Sequence, residues 1–167
     1  ALGIRRGMEV LLPSWTFVSC ATAIIRCGAR PVFVDVDPDT LTLDPDQLDR
    51  AITKRSRAIL CMHYGGFPCD MHRIMAVAHA HRLSVIEDAA QALGSFWRGR
   101  PLGTIGDVGC LSFHGTKNIT CGEGGAFLTN NSTIAERALL MREKGTNREA
   151  ILRAEVNRYT WVERGGS

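Results

Sequence analysis

SFHGTKN, residues 112–118, decides the fold when it is read together with SVIEDAAQ, residues 84–91. Val108 to Phe113 alternates in the manner of a strand and ends in polar residues and glycine, so Lys117 is expected in a tight turn just past a sheet edge. That is an odd place for a lysine needed only for solubility. In SVIEDAAQ a buried-strand pattern runs straight into two carboxylates, Glu87 and Asp88, and then into small residues. The ends of neighbouring strands in an open parallel sheet converge on one crevice, where ligands bind. Lys117 and Asp88 are expected to face each other across it.

Outward from these segments, short apolar runs alternate with helical patterns. Glu9 to Leu12 reads as a strand ended by Pro13, after which Ser14 or Thr16 caps a helix presenting Val18, Ala21, Ile24 and Ile25 and stopped by Gly28. Pro31 to Val36 is a β-branched run, and Asp35 and Asp37 beside Pro38-Asp39 read as turn-capping residues rather than catalytic ones. Asp44 caps the next helix, Pro45 takes its first position, and Leu48 and Ile52 face inward. Ala58 to Met62 is a third strand. The loop His63-Tyr64-Gly65-Gly66 leads to a helix from about Asp70 to His81, and Leu83 to Ile86 is a fourth strand. Further on, GAFLTN (125–130) is a strand. Asn130, Asn131 or Ser132 caps a helix carrying Ile134, Ala138 and Met141, which Lys144-Gly145 closes. This alternation predicts an α/β fold in three layers, with a mostly parallel sheet and right-handed crossovers.

Bulk properties narrow the classes. A chain of 167 residues supports one domain with a real core. Its charge of +3 is too small to argue for nucleic acid, and no apolar stretch approaches a spanning helix, so neither nucleic acid nor membrane is an expected partner. ALGIRRGMEV is no signal peptide, which makes the cytoplasm the default location. The chain begins inside what reads as the tail of a helix and stops at Gly165-Gly166-Ser167 without a closing element, as a piece of a longer protein does. The six cysteines include no CxxC pair. Cys61, His63, Cys69 and His72 offer metal ligands, but Cys61 lies in an apolar run and the Cys-x-His opening does not match a zinc knuckle, so no metal is expected. GTIGDVG is not a dinucleotide fingerprint, and Gly115-Thr116-Lys117 lacks the spacing of a Walker sequence.

An acid at one strand end and a lysine beside another suit pyridoxal phosphate, in which a lysine forms a Schiff base and a carboxylate partners the pyridinium nitrogen. Protonation there makes the ring an electron sink, and the lysine amine can carry a proton between carbons. The plainer reading of the pair alone is a structural salt bridge, or two unrelated surface residues.

The wording of the segments goes further. EDAAQALGS (87–95) and GDVGCLSFHGTKNITCGEGG (106–125) together resemble the DegT/DnrJ/EryC1/StrS sugar aminotransferases, a branch of the fold-type-I pyridoxal-phosphate enzymes. RRGMEVLLPSWTFVSCATAI, PVFVDVDPDTLTLDP and HYGGFPCDM extend the likeness over the whole chain, in the right order. The resemblance implies that residues 1–167 are the cofactor-binding large domain, incomplete at both ends. By it, Lys117 is the Schiff-base lysine and proton shuttle, Asp88 the partner of the ring nitrogen, and Gln91, one helical turn on, a further cofactor ligand. Ser112 would donate to the phosphate and Phe17 would stack on the ring, with packing under a helix as the plainer reading of Phe17. His63 and His114 lie near the implied site without an assigned role.

Within the family, REKGTNR (142–148) and RAEVNRYTW (153–161) resemble members that aminate C4 of dTDP-4-keto-6-deoxyglucose with glutamate, for enterobacterial common antigen. Arg142, Lys144 and Arg148 would then meet the nucleotide diphosphate; solvated charges at a helix end explain them as well. The resemblance also implies a homodimer, with a nucleotide-linked ketosugar and glutamate as substrates. Other readings are a related amino-transfer specificity at C3 or C4 on another nucleotide, a ketosugar dehydratase, which carries histidine in place of the lysine, and a non-catalytic sensory or zinc-binding module.

Overall fold

The computed structural model describes residues 1–162 and 165. They divide into two compact units, one of residues 4–128 and one of residues 1–3 with the stretch from 129 onward.

The first unit holds strands β1 (Glu9–Pro13), β2 (Arg30–Val34), β3 (Ser56–Met62), β4 (Ser84–Asp88), β5 (Phe96–Trp97), β6 (Arg100–Pro101), β7 (Val108–Ser112) and β8 (Gly125–Leu128). Its helices are α1 (Val18–Arg26), α2 (Pro45–Ala51) and α3 (Met71–His81). β5 and β6 form a small ribbon, and the other six strands form one sheet in the order β2-β1-β3-β4-β7-β8. All neighbours in that sheet are parallel except β7 and β8. The antiparallel edge arises because the loop 113–124 folds back on itself instead of crossing a face. Phe113 N–H donates to the Gly124 carbonyl (2.8 Å) and Cys121 N–H to that of Phe113 (2.9 Å).

Side chains alternate across the sheet, and the two faces bury different partners. Val10, Leu12, Ala58 and Leu60 pack with Cys20 and Ile24 of α1. Leu11, Ile59, Cys61 and Val85 pack with Leu48 of α2 and Met71, Ile74 and Ala78 of α3. Three layers result. Each fully buried Leu or Ile stabilises the fold by roughly 2 kcal/mol, so these two cores rather than surface ion pairs hold the sheet.

Most caps follow the residue types. Asp44 Oδ1 accepts from Asp46 N–H (2.9 Å), Asp70 caps α3, and Asp37 accepts from the N–H groups of Asp39 and Thr40 (both 2.9 Å) in the turn after β2. Helix α1 departs from expectation. Its N-cap is Phe17, and no side chain caps it. The Thr16 hydroxyl, expected to cap, instead donates toward the sulfurs of Cys20 (3.2 Å) and Met62 (3.1 Å). Val18 and Ile25 are exposed because Cys20 and Ile24, one turn apart, are the residues laid on the sheet. Residues 1–5 form no helix, contrary to the tail expected there.

At Gly109 the approach of the backbone admits only glycine. A Cβ on Gly109 would fall 1.9 Å from the Gly103 carbonyl oxygen, where the chain entering β7 passes over the strand. Gly109→Ala is expected to destabilise by about 2–3 kcal/mol, read as a lowered urea midpoint at unchanged slope. A wild-type midpoint would contradict the close approach.

In the second unit, α4 (Ser132–Arg142) is capped by Asn131, whose Oδ1 accepts from Ile134 N–H (3.2 Å), and α5 (Arg148–Leu152) follows. No helix among the described residues is long and apolar enough to cross a membrane.

Candidate active site

Asp88 is the last residue of β4, opposite Met62 of β3 and Cys110 of β7. Paired residues in a parallel sheet lie side by side on one face. The two-residue period therefore puts Ser112, the last residue of β7, on the same face as Asp88 and Cys110. That face is the one α1 covers: the Cys20 thiol donates to Asp88 Oδ2 (2.9 Å), while Asp88 Oδ1 accepts from Ala90 N–H (3.0 Å).

The turn after β7 carries Lys117. Its backbone N–H donates to the His114 carbonyl (2.9 Å), and the His114 ring takes the Thr116 N–H on Nδ1 (3.2 Å), so His114 shapes the turn. Asn118 Nδ2 donates to the Leu93 carbonyl (3.2 Å), which ties this turn to the segment that follows Asp88. The Lys117 side chain is half-buried and makes no hydrogen bond or ion pair among the described residues. Ser112 Oγ accepts from His114 N–H (3.3 Å), which leaves the hydroxyl proton to donate elsewhere.

Gln91 lies in consecutive turns and not in a helix, since Ala92 N–H donates to the Ala89 carbonyl and Ser95 N–H to that of Ala92 (both 2.9 Å). Gly94 with φ +85° fits this turning chain and not a helix. Gln91 Oε1 accepts from Gly65 N–H (2.7 Å) and its amide N–H groups remain available. Phe17 is 68% exposed, so it does not pack beneath a helix.

Two residues beside Asp88 had no assigned task in the sequence. Glu87 points to the opposite face and is fully buried. Its Oε1 accepts from the N–H groups of Ile105 and Gly106 (both 2.6 Å), and its Oε2 from Gly103 N–H (2.8 Å) and His63 Nε2 (2.9 Å). Burial alone would raise the Glu87 carboxyl, but His63 and these backbone donors hold it below its usual value. His63 Nδ1 accepts from Cys69 N–H (3.2 Å), so the ring proton resides on Nε2 and is donated to Glu87. His63 N–H also donates to the Asp88 carbonyl (3.1 Å). The pair thus fixes the backbone of Asp88 from behind and anchors the loop 103–106 that enters β7. Strand alternation is the signal that separates Glu87 from Asp88; the partners of Glu87 come from distant segments.

Cys61, His63 and Cys69 are buried together, but Cys69 donates to the Met62 carbonyl (3.1 Å), Cys61 lies against Met71 and Ile86, and His72 is exposed on α3. No group of three or more such side chains among the described residues is arranged to hold a metal ion. In the second unit Arg142 pairs with Glu149 (2.7 Å) and Glu143 (3.2 Å), and Arg148 with Glu143 (3.1 Å). Arg148 first, then Arg142, holds the Glu143 carboxyl below its usual value. Lys144 is exposed. Arg142 and Arg148 therefore serve an ion-pair cluster at the end of α4.

Pyridoxal phosphate asks for an amine for its aldehyde, an acid for its ring nitrogen and donors for its phosphate. The residues present fit: an amine without an ion pair, an ionisable acid at a strand end, and a hydroxyl with a proton to donate on the same face as that acid. An exposed aromatic ring stands at the start of the covering helix.

Comparison with known proteins agrees. Residues 1–160 match the DegT/DnrJ/EryC1/StrS aminotransferase family. GDP-perosamine synthase of Caulobacter vibrioides is 46% identical over 145 residues, 87% of this chain and 39% of that protein. The aminotransferase structure from Psychrobacter cryohalolentis superimposes with a TM-score of 0.93 at 36% identity, covering 99% of this chain and 43% of that one. The protein Spr1654 from Streptococcus pneumoniae in its PLP form superimposes with a TM-score of 0.86 at 28% identity, covering 99% of this chain and 46% of that one. The chain therefore spans about 40% of the length of such relatives. With its mostly parallel sheet between two helical layers, the chain belongs to the DegT/DnrJ/EryC1/StrS family of pyridoxal-phosphate-dependent aminotransferases, as part of their fold.

Proposed function

We propose that the protein containing this chain transfers the amino group of glutamate to C4 of a nucleotide-linked 4-keto-6-deoxy sugar. The substrate in this reading is dTDP-4-keto-6-deoxyglucose, and the product is dTDP-4-amino-4,6-dideoxygalactose for a cell-surface polysaccharide such as enterobacterial common antigen. The observation that carries the amino-transfer reading is the meeting of Asp88 and Ser112 on one face of adjacent strand ends, with the Lys117 turn tied to the segment after Asp88.

When bound, pyridoxal phosphate supplies an electron-withdrawing ring that makes a proton on the donor carbon removable. Lys117 Nζ would hold the aldehyde, and its amine would carry that proton. Asp88 would partner the ring nitrogen. Ser112 Oγ would donate to the phosphate, Gln91 would offer its free amide hydrogens, and Phe17 would stack on the ring. Arg142, Lys144 and Arg148 take the diphosphate in this reading only by exchanging their carboxylate partners where they have them.

The exposed rings of Trp15, Phe67 and Phe96 suit a homodimer interface, and this reading takes the cytoplasm as the location. A second reading has GDP as the nucleotide, favoured by the 46% identity to a GDP-perosamine synthase. Full-length protein incubated with glutamate and either the dTDP- or the GDP-linked ketosugar decides between them. The dTDP substrate is expected to yield the 4-amino sugar with equimolar 2-oxoglutarate, identified by mass and NMR. Turnover of the GDP substrate alone would shift the assignment, and an unchanged sugar in both tubes would end it.

A further inference from the structure

We propose that Cys20 is a positioning residue for Asp88, its thiol fixing the carboxylate that the proposed function assigns to the ring nitrogen. Cys20 lies in the first turn of α1, nearly fully buried, and donates to Asp88 Oδ2 at 2.9 Å. Its sulfur accepts from the Thr16 hydroxyl at 3.2 Å, so a relay runs from Thr16 through Cys20 to Asp88. Ala90 N–H holds the other carboxylate oxygen at 3.0 Å. One donor on each oxygen fixes the plane of a carboxylate that otherwise rotates freely at a half-exposed strand end. Each bond brings a donor hydrogen to a different carboxylate oxygen, so the two together set the direction in which the group points. Burial, then the charge of Asp88, push the Cys20 thiol up to about 12, so it remains S–H and keeps donating at neutral pH. Nothing in this arrangement uses Cys20 as a nucleophile.

The inference rests on the cofactor reading of Asp88, and the test separates the two. Apo full-length protein is titrated with pyridoxal phosphate, followed by absorbance, for wild type, Cys20→Ala, Cys20→Ser and Asp88→Asn. Loss of one hydrogen bond to a charged group predicts about tenfold weaker binding for Cys20→Ala. Cys20→Ser, whose hydroxyl also donates, is expected to stay within about threefold of wild type. Should Cys20→Ala fail to fold, Cys20→Val keeps the volume without the donor and takes its place. Equal weakening in the Ser and Ala variants would assign Cys20 to packing and overturn the proposal. Wild-type affinity in Cys20→Ala beside a large loss in Asp88→Asn overturns it while leaving the cofactor reading intact. Wild-type affinity in Asp88→Asn overturns both.

Discussion

Lys117→Ala in the full-length protein is expected to bring amino transfer down by about ten-thousand-fold and to abolish the visible colour of the protein with its cofactor. The expectation rests on the isolation of the amine. Lys117 is half-buried in a turn held by the His114 carbonyl, and its side chain makes no ion pair among the described residues. Removing it therefore costs little in the fold, and the apo thermal midpoint should move by an amount equivalent to less than about 0.5 kcal/mol. A large loss of activity with no loss of stability is the signature of a reacting group. Lys117→Arg sharpens the comparison, because a guanidinium keeps the charge but has no amine able to lose its proton and attack an aldehyde. Both variants should be equally colourless. An arginine variant that retains activity would mean that Lys117 serves as a charge, and a fully active alanine variant would return it to the solvated surface.

Much of the frame was legible because it depends on local patterns. The apolar runs gave the strands, and Asp44 and Asn131 cap the helices their positions suggest. Asp88 and the Lys117 turn fall at strand ends for the same reason. What stayed hidden depends on contacts between distant segments. The sheet order puts α1 on one face and α2 and α3 on the other. Only that winding brings Cys20 to Asp88 and the backbone of residues 103–106 to Glu87. Thr16 looked like a cap because hydroxyls commonly serve there, yet two buried sulfurs lay within reach. GAFLTN carries no mark of strand direction, so the antiparallel edge required the folded-back loop to be seen. Gln91 was expected one helical turn past Asp88, and the turns at Ala92 and Ser95 replace that helix.

Glu87→Gln should cost about 4 kcal/mol of stability even though it changes one atom. Glu87 accepts four hydrogen bonds, three from backbone N–H groups and one from His63, with neither carboxylate nor imidazole exposed. A glutamine offers a single oxygen, and its amide nitrogen must point two donors at donors already there. Each buried N–H left without an acceptor costs about 1–3 kcal/mol, and two are orphaned in either orientation of the amide. The His63 ring cannot compensate by turning, because its Nδ1 is committed to Cys69 N–H. Urea unfolding of this chain measures the loss, and a midpoint within error of wild type would refute the network. The same carboxylate sets a pH dependence. Its folded value lies below the ordinary 4.5, so its stabilisation is complete above that pH and disappears as the pH falls through the folded value. Glu9 adds to this at the other end of the sheet, where Thr53, then Arg30 and Arg55, bring it to about 2. Wild-type protein should therefore lose stability progressively from about pH 4.5 towards 2, and Glu87→Gln should show a shallower decline over that range because one of the two titrations is gone. Parallel acid curves for the two proteins would mean that Glu87 is not ionised in the fold.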